Sequence, residues 1–274
     1  MRGRVLVVAG SDSGGGAGIQ ADIKSIMAMG GFATTAITAV TAQDTLGVHG
    51  VHPIPPEFLR LQIACVLRDI GADAVKTGML GDAATIDVLC DVLAAHDRRM
   101  PVVVDPVMVA KGGQSLSSAA AIAQLKRRLL PLTTLLTPNL PEAEMLGGVS
   151  IVDEAGMRRA AEALLTLGVP AVLLKGGHLP GDDAIDLLAT ADGVDVFRAP
   201  RIHTRHTHGT GCTLASAIAA GLAQGMVLRA AVMRARGYVR AAIAAAPGFG
   251  AGHGPMGHGV TVDPARIAAL DGLR

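Results

Sequence analysis

The chain has 274 residues, of which 50% are apolar types, 17% charged and 2% aromatic. A core of good size can be built from that mixture, which excludes a disordered chain. The 24 basic and 23 acidic residues cancel to +1 and are spread along the chain, so no nucleic-acid footprint is expected, and one Tyr and four Phe cannot make a base-stacking platform.

The expected elements alternate in type along the chain. Residues 5–8, Val-Leu-Val-Val, form a continuous apolar run of the kind a strand shows when buried on both faces. Similar runs lie at 34–40, 74–76, 102–104, 133–136 and 171–174. Between them, residues 56–70 put Leu59, Ile63, Val66 and Ile70 on one helical face, and the segment after Asp82 does the same with Ile86, Leu89, Cys90 and Leu93. Helical patterns also fit 117–130, 153–167, 213–224 and 228–245. This alternation predicts an α/β fold with a mostly parallel sheet and helices on both faces. Residues 184–198, with a turn at Asp192-Gly193, predict an antiparallel hairpin at the sheet edge. The Gly-rich stretch 247–259 reads as a loop. No linker or internal repeat divides residues 1–274, so a single domain is expected.

Cys65, Cys90 and Cys212 stand at unrelated spacings, which gives no disulfide framework and fits a reducing, cytoplasmic setting. The apolar run near the N-terminus is too short for a secretory leader. Residues 25–43 and 206–228 lack Asp, Glu, Lys and Arg but are interrupted by Gly, Thr and Gln, so no membrane span is expected.

Ligands of parallel sheets gather at the carboxyl ends of the strands. The first such end carries Gly10, Asp12 and a run of glycines before Asp22; it matches neither a GxGxxG fingerprint nor a P-loop. A second Gly-rich turn, Thr207-His208-Gly209-Thr210-Gly211-Cys212-Thr213, opens an apolar helix whose free N–H groups could hold an anion and would lower the pKa of Cys212. Of the five lysines, Lys76, Lys111 and Lys175 precede glycine turns, where a mobile ammonium could reach phosphate oxygens. Asp105 and Glu142 follow strands and could hold Mg²⁺, or could simply cap the next helix.

Seven ordered blocks, AGSDSGGGAGIQAD, TAVTAQDT, KTGML, DPVMVAKGG, TPNLPEAE, LLKGGH and THGTGCTL, together resemble the hydroxymethylpyrimidine/phosphomethylpyrimidine kinases of thiamine biosynthesis, a family within the ribokinase-like superfamily. The resemblance runs from residue 5 to about residue 245. It implies a single-domain three-layer α/β/α sandwich, typically a homodimer. The implied activity transfers the ATP γ-phosphate to 4-amino-5-hydroxymethyl-2-methylpyrimidine and then to its monophosphate. By the same resemblance Gln43 reads the pyrimidine edge, with Gly10, Asp22 and Met79 lining the pocket. Asp105 and Glu142 organise Mg²⁺. Lys175, Asn139 and Thr210 meet ATP phosphates, and Gly209, Gly211 and Cys212 form an anion hole with Cys212 beside the substrate oxygen. The first loop departs slightly, reading Ser13-Gly14 where relatives often carry Pro or Ser. Related kinases usually carry Asp at the position of Cys212, as a general base. Pyridoxal kinase is therefore the nearest alternative. Two further alternatives are a zinc site on His203, His206, His208 and Cys212, and a non-catalytic vitamin-binding protein.

Overall fold

The computed structural model describes residues 3–96, 100–108, 117–177 and 179–262. Lys111 and His178 fall outside these residues. Strand β1 (Arg4–Asp12) runs parallel to β2 (Phe32–Gln43) on one side and to β4 (Ala74–Thr77) on the other. The sheet continues in parallel through β5 (Val102–Val104), β6 (Leu135–Leu136) and β7 (Ala171–Lys175). Antiparallel strands finish both edges: β3 (Val48–Pro53) beside β2, then β8 (Asp183–Thr190) and β9 (Gly193–Pro200) beyond β7. The resulting order is β3-β2-β1-β4-β5-β6-β7-β8-β9.

Helices cover both faces because the strand side chains alternate between two cores. Leu6 and Val8 of β1 join one core with Val102, Val104, Val172 and Leu174. That face is covered by α2 (Pro56–Asp69), α3 (Ala83–Ala95), α4 (Ala119–Gln124), α5 (Leu140–Gly147) and α6 (Glu154–Leu165). Val5 and Val7 join the other core with Val103, Leu135, Ala171 and Leu173. There the cover is α1 (Gly18–Ala28), α7 (Thr210–Ala223) and α8 (Leu228–Ala244). The three-layer α/β/α reading of the sequence therefore holds, and the expected hairpin forms β8 and β9. Among the described residues no helix is long and apolar enough to cross a membrane.

Three expectations are corrected. The helix expected over 117–130 is α-helical only for its first turns, then passes through a π-turn (Leu125–Leu129) and a 3₁₀ turn (Leu130–Leu132). Pro131 has no N–H to continue the α pattern. The strand expected from residue 133 starts at Leu135, because Thr133 instead donates its hydroxyl to the Leu129 carbonyl and closes the preceding turn. Helix α7 starts at Thr210 rather than Thr213, so Cys212 lies within its first turn.

Candidate active site

The carboxyl ends of β1, β4, β5, β6 and β7 and the N-terminus of α7 meet at one edge of the sheet. A cavity of about 890 Å³ opens there. Its wall includes Gly10, Gln43 and Met79 toward β1 and β2, and Asp105, Glu142 and Lys175 toward β5, β6 and β7. Gly209 to Cys212 also line it, and Asn139 stands beside Lys175 and Glu142.

The α7 start is shaped by two glycines. Gly209 caps the helix with φ of +83°, and a Cβ there would overlap the Gly16 carbonyl at 1.8 Å. Only glycine combines that backbone with that approach. A Cβ on Gly211 would lie 3.0 Å from Lys175 Nζ and 3.4 Å from Asp105 Oδ2. The bare backbone therefore brings the first-turn N–H groups, which lack intrahelical acceptors, up to the charged pair.

Lys175 Nζ donates to Asp105 Oδ1 at 2.8 Å, and Thr137 Oγ1 donates to the same oxygen at 3.1 Å. Burial alone would lower the Lys175 pKa, but Asp105 and Glu142 outweigh it and leave the pKa raised. Glu142 completes a capping box on α5: Asn139 Oδ1 accepts from the Glu142 N–H, and Glu142 Oε2 accepts from the Asn139 N–H at 2.8 Å. Burial pushes the Glu142 carboxyl up to about 7; Lys175 pulls it down and Asp105 pushes it further up. Glu142 is thus both a helix cap and a wall of the cavity, and the Asn139 carbonyl oxygen is spent on the cap.

Cys212 corrects the sequence expectation. Burial pushes its thiol up to about 12, against the pull of Lys76 and the Gly18 N–H, with Asp22 and Asp105 adding to the rise. The helix N-terminus does not offset that desolvation. Asp22 is a second correction. It is fully buried beneath the cavity and does not line it; Oδ1 accepts from Lys76 Nζ at 2.8 Å and from Ser216 Oγ at 2.6 Å. Lys76 is likewise fully buried, so it is no mobile phosphate ligand. Its pairing with Asp22 holds its charge against burial, and the pKa is raised. Ser216 and Cys212 are four residues apart on α7, as are Gly18 and Asp22 on α1, so the same two helix faces carry both contacts.

Asp12 and Thr41, which also line the cavity, carried no assigned role in the sequence reading, and His208 carried only the alternative role of a zinc ligand. The run of glycines after Asp12 is the available signal, since an Asp side chain commonly accepts N–H groups from the residues that follow it in a turn. Among the described residues no group of three or more His, Cys, Asp or Glu could hold a metal. His203, His206, His208 and Cys212 therefore form no zinc site, and His208 lies against Asp12 and Gln43.

The sequence signature of the phosphomethylpyrimidine kinase family matches residues 12–257. The chain is 51% identical to the hydroxymethylpyrimidine/phosphomethylpyrimidine kinase of Streptomyces coelicolor, covering 93% of this chain and 94% of that one. It is 53% identical to the thiamine biosynthesis bifunctional protein ThiED of Geobacter sulfurreducens over 97% of its own length, and spans 54% of that longer protein. Among solved structures, the ADP complex of Bacillus subtilis pyridoxal kinase matches with a TM-score of 0.88 at 34% identity, covering 97% of this chain and 100% of that one. The phosphomethylpyrimidine kinase of Clostridium difficile 630 matches with a TM-score of 0.77 at 39% identity, covering 86% and 97%.

Proposed function

Because the chain belongs to the phosphomethylpyrimidine kinase family, we propose that it transfers the γ-phosphate of ATP to 4-amino-5-hydroxymethyl-2-methylpyrimidine and then to the resulting monophosphate. The observation that carries this reading is one cavity with Gln43 at one end, Lys175, Asp105 and Glu142 at the other, and the α7 N-terminus between them. A ring bound at Gln43 and a polyphosphate at Lys175 would meet over the free N–H groups of Gly211 and Cys212. The whole chain would act as one kinase domain and, by its resemblance, as a homodimer; analytical ultracentrifugation tests the latter.

The roles divide by chemistry. The Gln43 amide offers one acceptor and one donor, which match the amino group and ring nitrogen of an aminopyrimidine. Gly10 and Met79 close the wall beside the ring. The N–H groups of Gly209, Gly211 and Cys212 and the Thr210 hydroxyl (its N–H donates to the Thr207 carbonyl), with the positive end of the helix dipole, stabilise negative charge on the transferring group. Lys175 adds a point charge toward the phosphates, and the Asn139 amide N–H groups can donate to them.

The donor set also fits Mg²⁺. Two carboxylates, Asp105 and Glu142, line the same cavity beside the α7 N-terminus, and Mg²⁺ usually takes one or two carboxylates with phosphate and water filling its other positions. Asp105 and Glu142 would hold it. When bound, the ion supplies charge neutralisation to the phosphates. In its thiolate form, a minor fraction at neutral pH that grows as pH rises, Cys212 would receive the proton that the hydroxymethyl group loses as it attacks.

An ADP-release assay on hydroxymethylpyrimidine, its monophosphate and pyridoxal tests the substrate. The proposal expects turnover of both pyrimidines and at least ~10-fold poorer use of pyridoxal, which lacks the amino donor. Preference for pyridoxal would favour the alternative that the fold match also supports.

A further inference from the structure

Gln43 faces the cavity between two groups whose own hydrogen bonds are already fixed. As placed, its Nε2 lies 3.2 Å from His208 Nε2 and its Oε1 lies 3.3 Å from Thr41 Oγ1. An amide carries oxygen at one end and NH₂ at the other, and a half-turn exchanges them. The neighbours decide which setting is satisfied.

His208 Nε2 also lies 3.1 Å from Asp12 Oδ2. Asp12 accepts backbone N–H groups from Gly14 at 2.8 Å, Gly16 at 3.0 Å and Ala17 at 2.7 Å. So many donors require an ionised carboxylate, which can only accept. The His208 ring must therefore carry a proton on Nε2, directed between Asp12 and Gln43. The amide end that faces it is then the oxygen.

The other side gives the same answer independently. Thr41 has one hydroxyl proton, and the Ser11 carbonyl, which can only accept, takes it at 2.8 Å. Toward Gln43, Thr41 Oγ1 is left as an acceptor, so the amide end that faces it is the nitrogen.

We infer that His208 and Thr41 are specificity-determining positioning residues, which lock the Gln43 amide a half-turn from its placed setting, with Oε1 toward His208 and Nε2 toward Thr41. The remaining lone pair of Oε1 and the second N–H of Nε2 then face a ligand as an ordered acceptor–donor pair. A ring fits when its exocyclic N–H lies on the His208 side and its ring-nitrogen acceptor on the Thr41 side. The inference rests on the aminopyrimidine reading above and adds the orientation of the ring to it. The deaminated 4-oxo ring has nearly the same shape but the reverse order, a carbonyl acceptor beside a ring N–H donor. It meets acceptor with acceptor and donor with donor.

Two measurements test the lock. The first compares kcat/KM for the amino and 4-oxo rings in the wild type, Thr41→Val and His208→Leu. The wild type should prefer the amino ring by ~10²-fold or more. Each variant frees the half-turn and should reduce that preference at least ~10-fold, with the KM for ATP unchanged. Equal losses on both rings, with the preference retained, would reduce His208 and Thr41 to structural roles and overturn the inference. The second measurement is the nuclear Overhauser contact of the Gln43 NH₂ protons in the ligand-free protein. Contact with the Thr41 methyl is expected, and contact with the His208 ring protons instead would overturn the lock. Since it is read without substrate, it decides the amide setting even in an enzyme that phosphorylates another ring.

Discussion

Lys175 Nζ lies 2.8 Å from Asp105 Oδ1, so the ammonium proposed to meet a polyphosphate is already held by a buried carboxylate. Removing one partner strands the other. Lys175→Met should lower stability by about 3–5 kcal/mol, because Asp105 then keeps a buried charge without its ammonium partner. Adding Asp105→Asn should recover part of that loss without restoring turnover. Urea denaturation of the single and double variants checks the coupling; strictly additive effects would mean that the pair contributes nothing jointly.

Gln43→Leu should raise the KM for the pyrimidine by ~5- to 150-fold, equivalent to about 1–3 kcal/mol for polar groups left unpaired on binding. The KM for ATP should hold. Steady-state kinetics with each substrate varied in turn separate the two, and an unchanged pyrimidine KM would remove Gln43 from ring recognition.

The carboxylates should differ in their metal phenotype. Glu142→Gln should shift the Mg²⁺ titration of activity to higher concentration, and Asp105→Asn should mainly lower kcat, since it also releases Lys175. Isothermal titration of the Mg²⁺–nucleotide complex into each variant gives a reading that does not depend on turnover. Unshifted Mg²⁺ dependence in both would place the ion elsewhere.

Burial holds the Cys212 thiol up to about 12, so at neutral pH it rests protonated. A base is active only when deprotonated, so its active fraction rises as pH rises toward that value. Phosphorylation of the alcohol should therefore increase with pH across the range of about 6–9. The monophosphate has a second pKa near ~6 and is already anionic, so its phosphorylation should be flat above about pH 7. Cys212→Ala should cost ~10²-fold on the alcohol and at least tenfold less on the monophosphate, and it should abolish the alkaline rise. Cys212→Asp should retain more of the first reaction than Ala. Equal losses on the two substrates would assign Cys212 to packing.

Much of the framework was legible in local sequence. Val5 to Val8 could be read as a strand because both cores claim alternate residues, so the run stays apolar throughout. Asp82 and Asp153 cap their helices where the periodic segments begin. Edge strand β3 was not legible: His49, Val51, His52 and Pro53 are exposed, so no alternation marks it. Helix α5 is only eight residues long, too short to establish a period. Within the site, glycines and strand-end acids announced themselves by position. The roles of Asp22, Lys76 and Cys212 did not, because each depends on burial created by partners 54 or more residues away, as in the Lys76–Asp22 pair and the Ser216 contact 194 residues from Asp22. Desolvation of that kind appears only when the sheet brings the segments together.

Time-resolved product analysis gives the most direct test of the proposed activity. Purified protein, ATP, Mg²⁺ and hydroxymethylpyrimidine would be sampled and followed by ³¹P NMR. A monophosphate should appear first and then decline as a pyrophosphate ester grows, with one ADP released for each phosphate transferred. ADP release with no phosphorylated pyrimidine, or accumulation of neither product while a parallel sample given pyridoxal in place of the pyrimidine is phosphorylated, would contradict it.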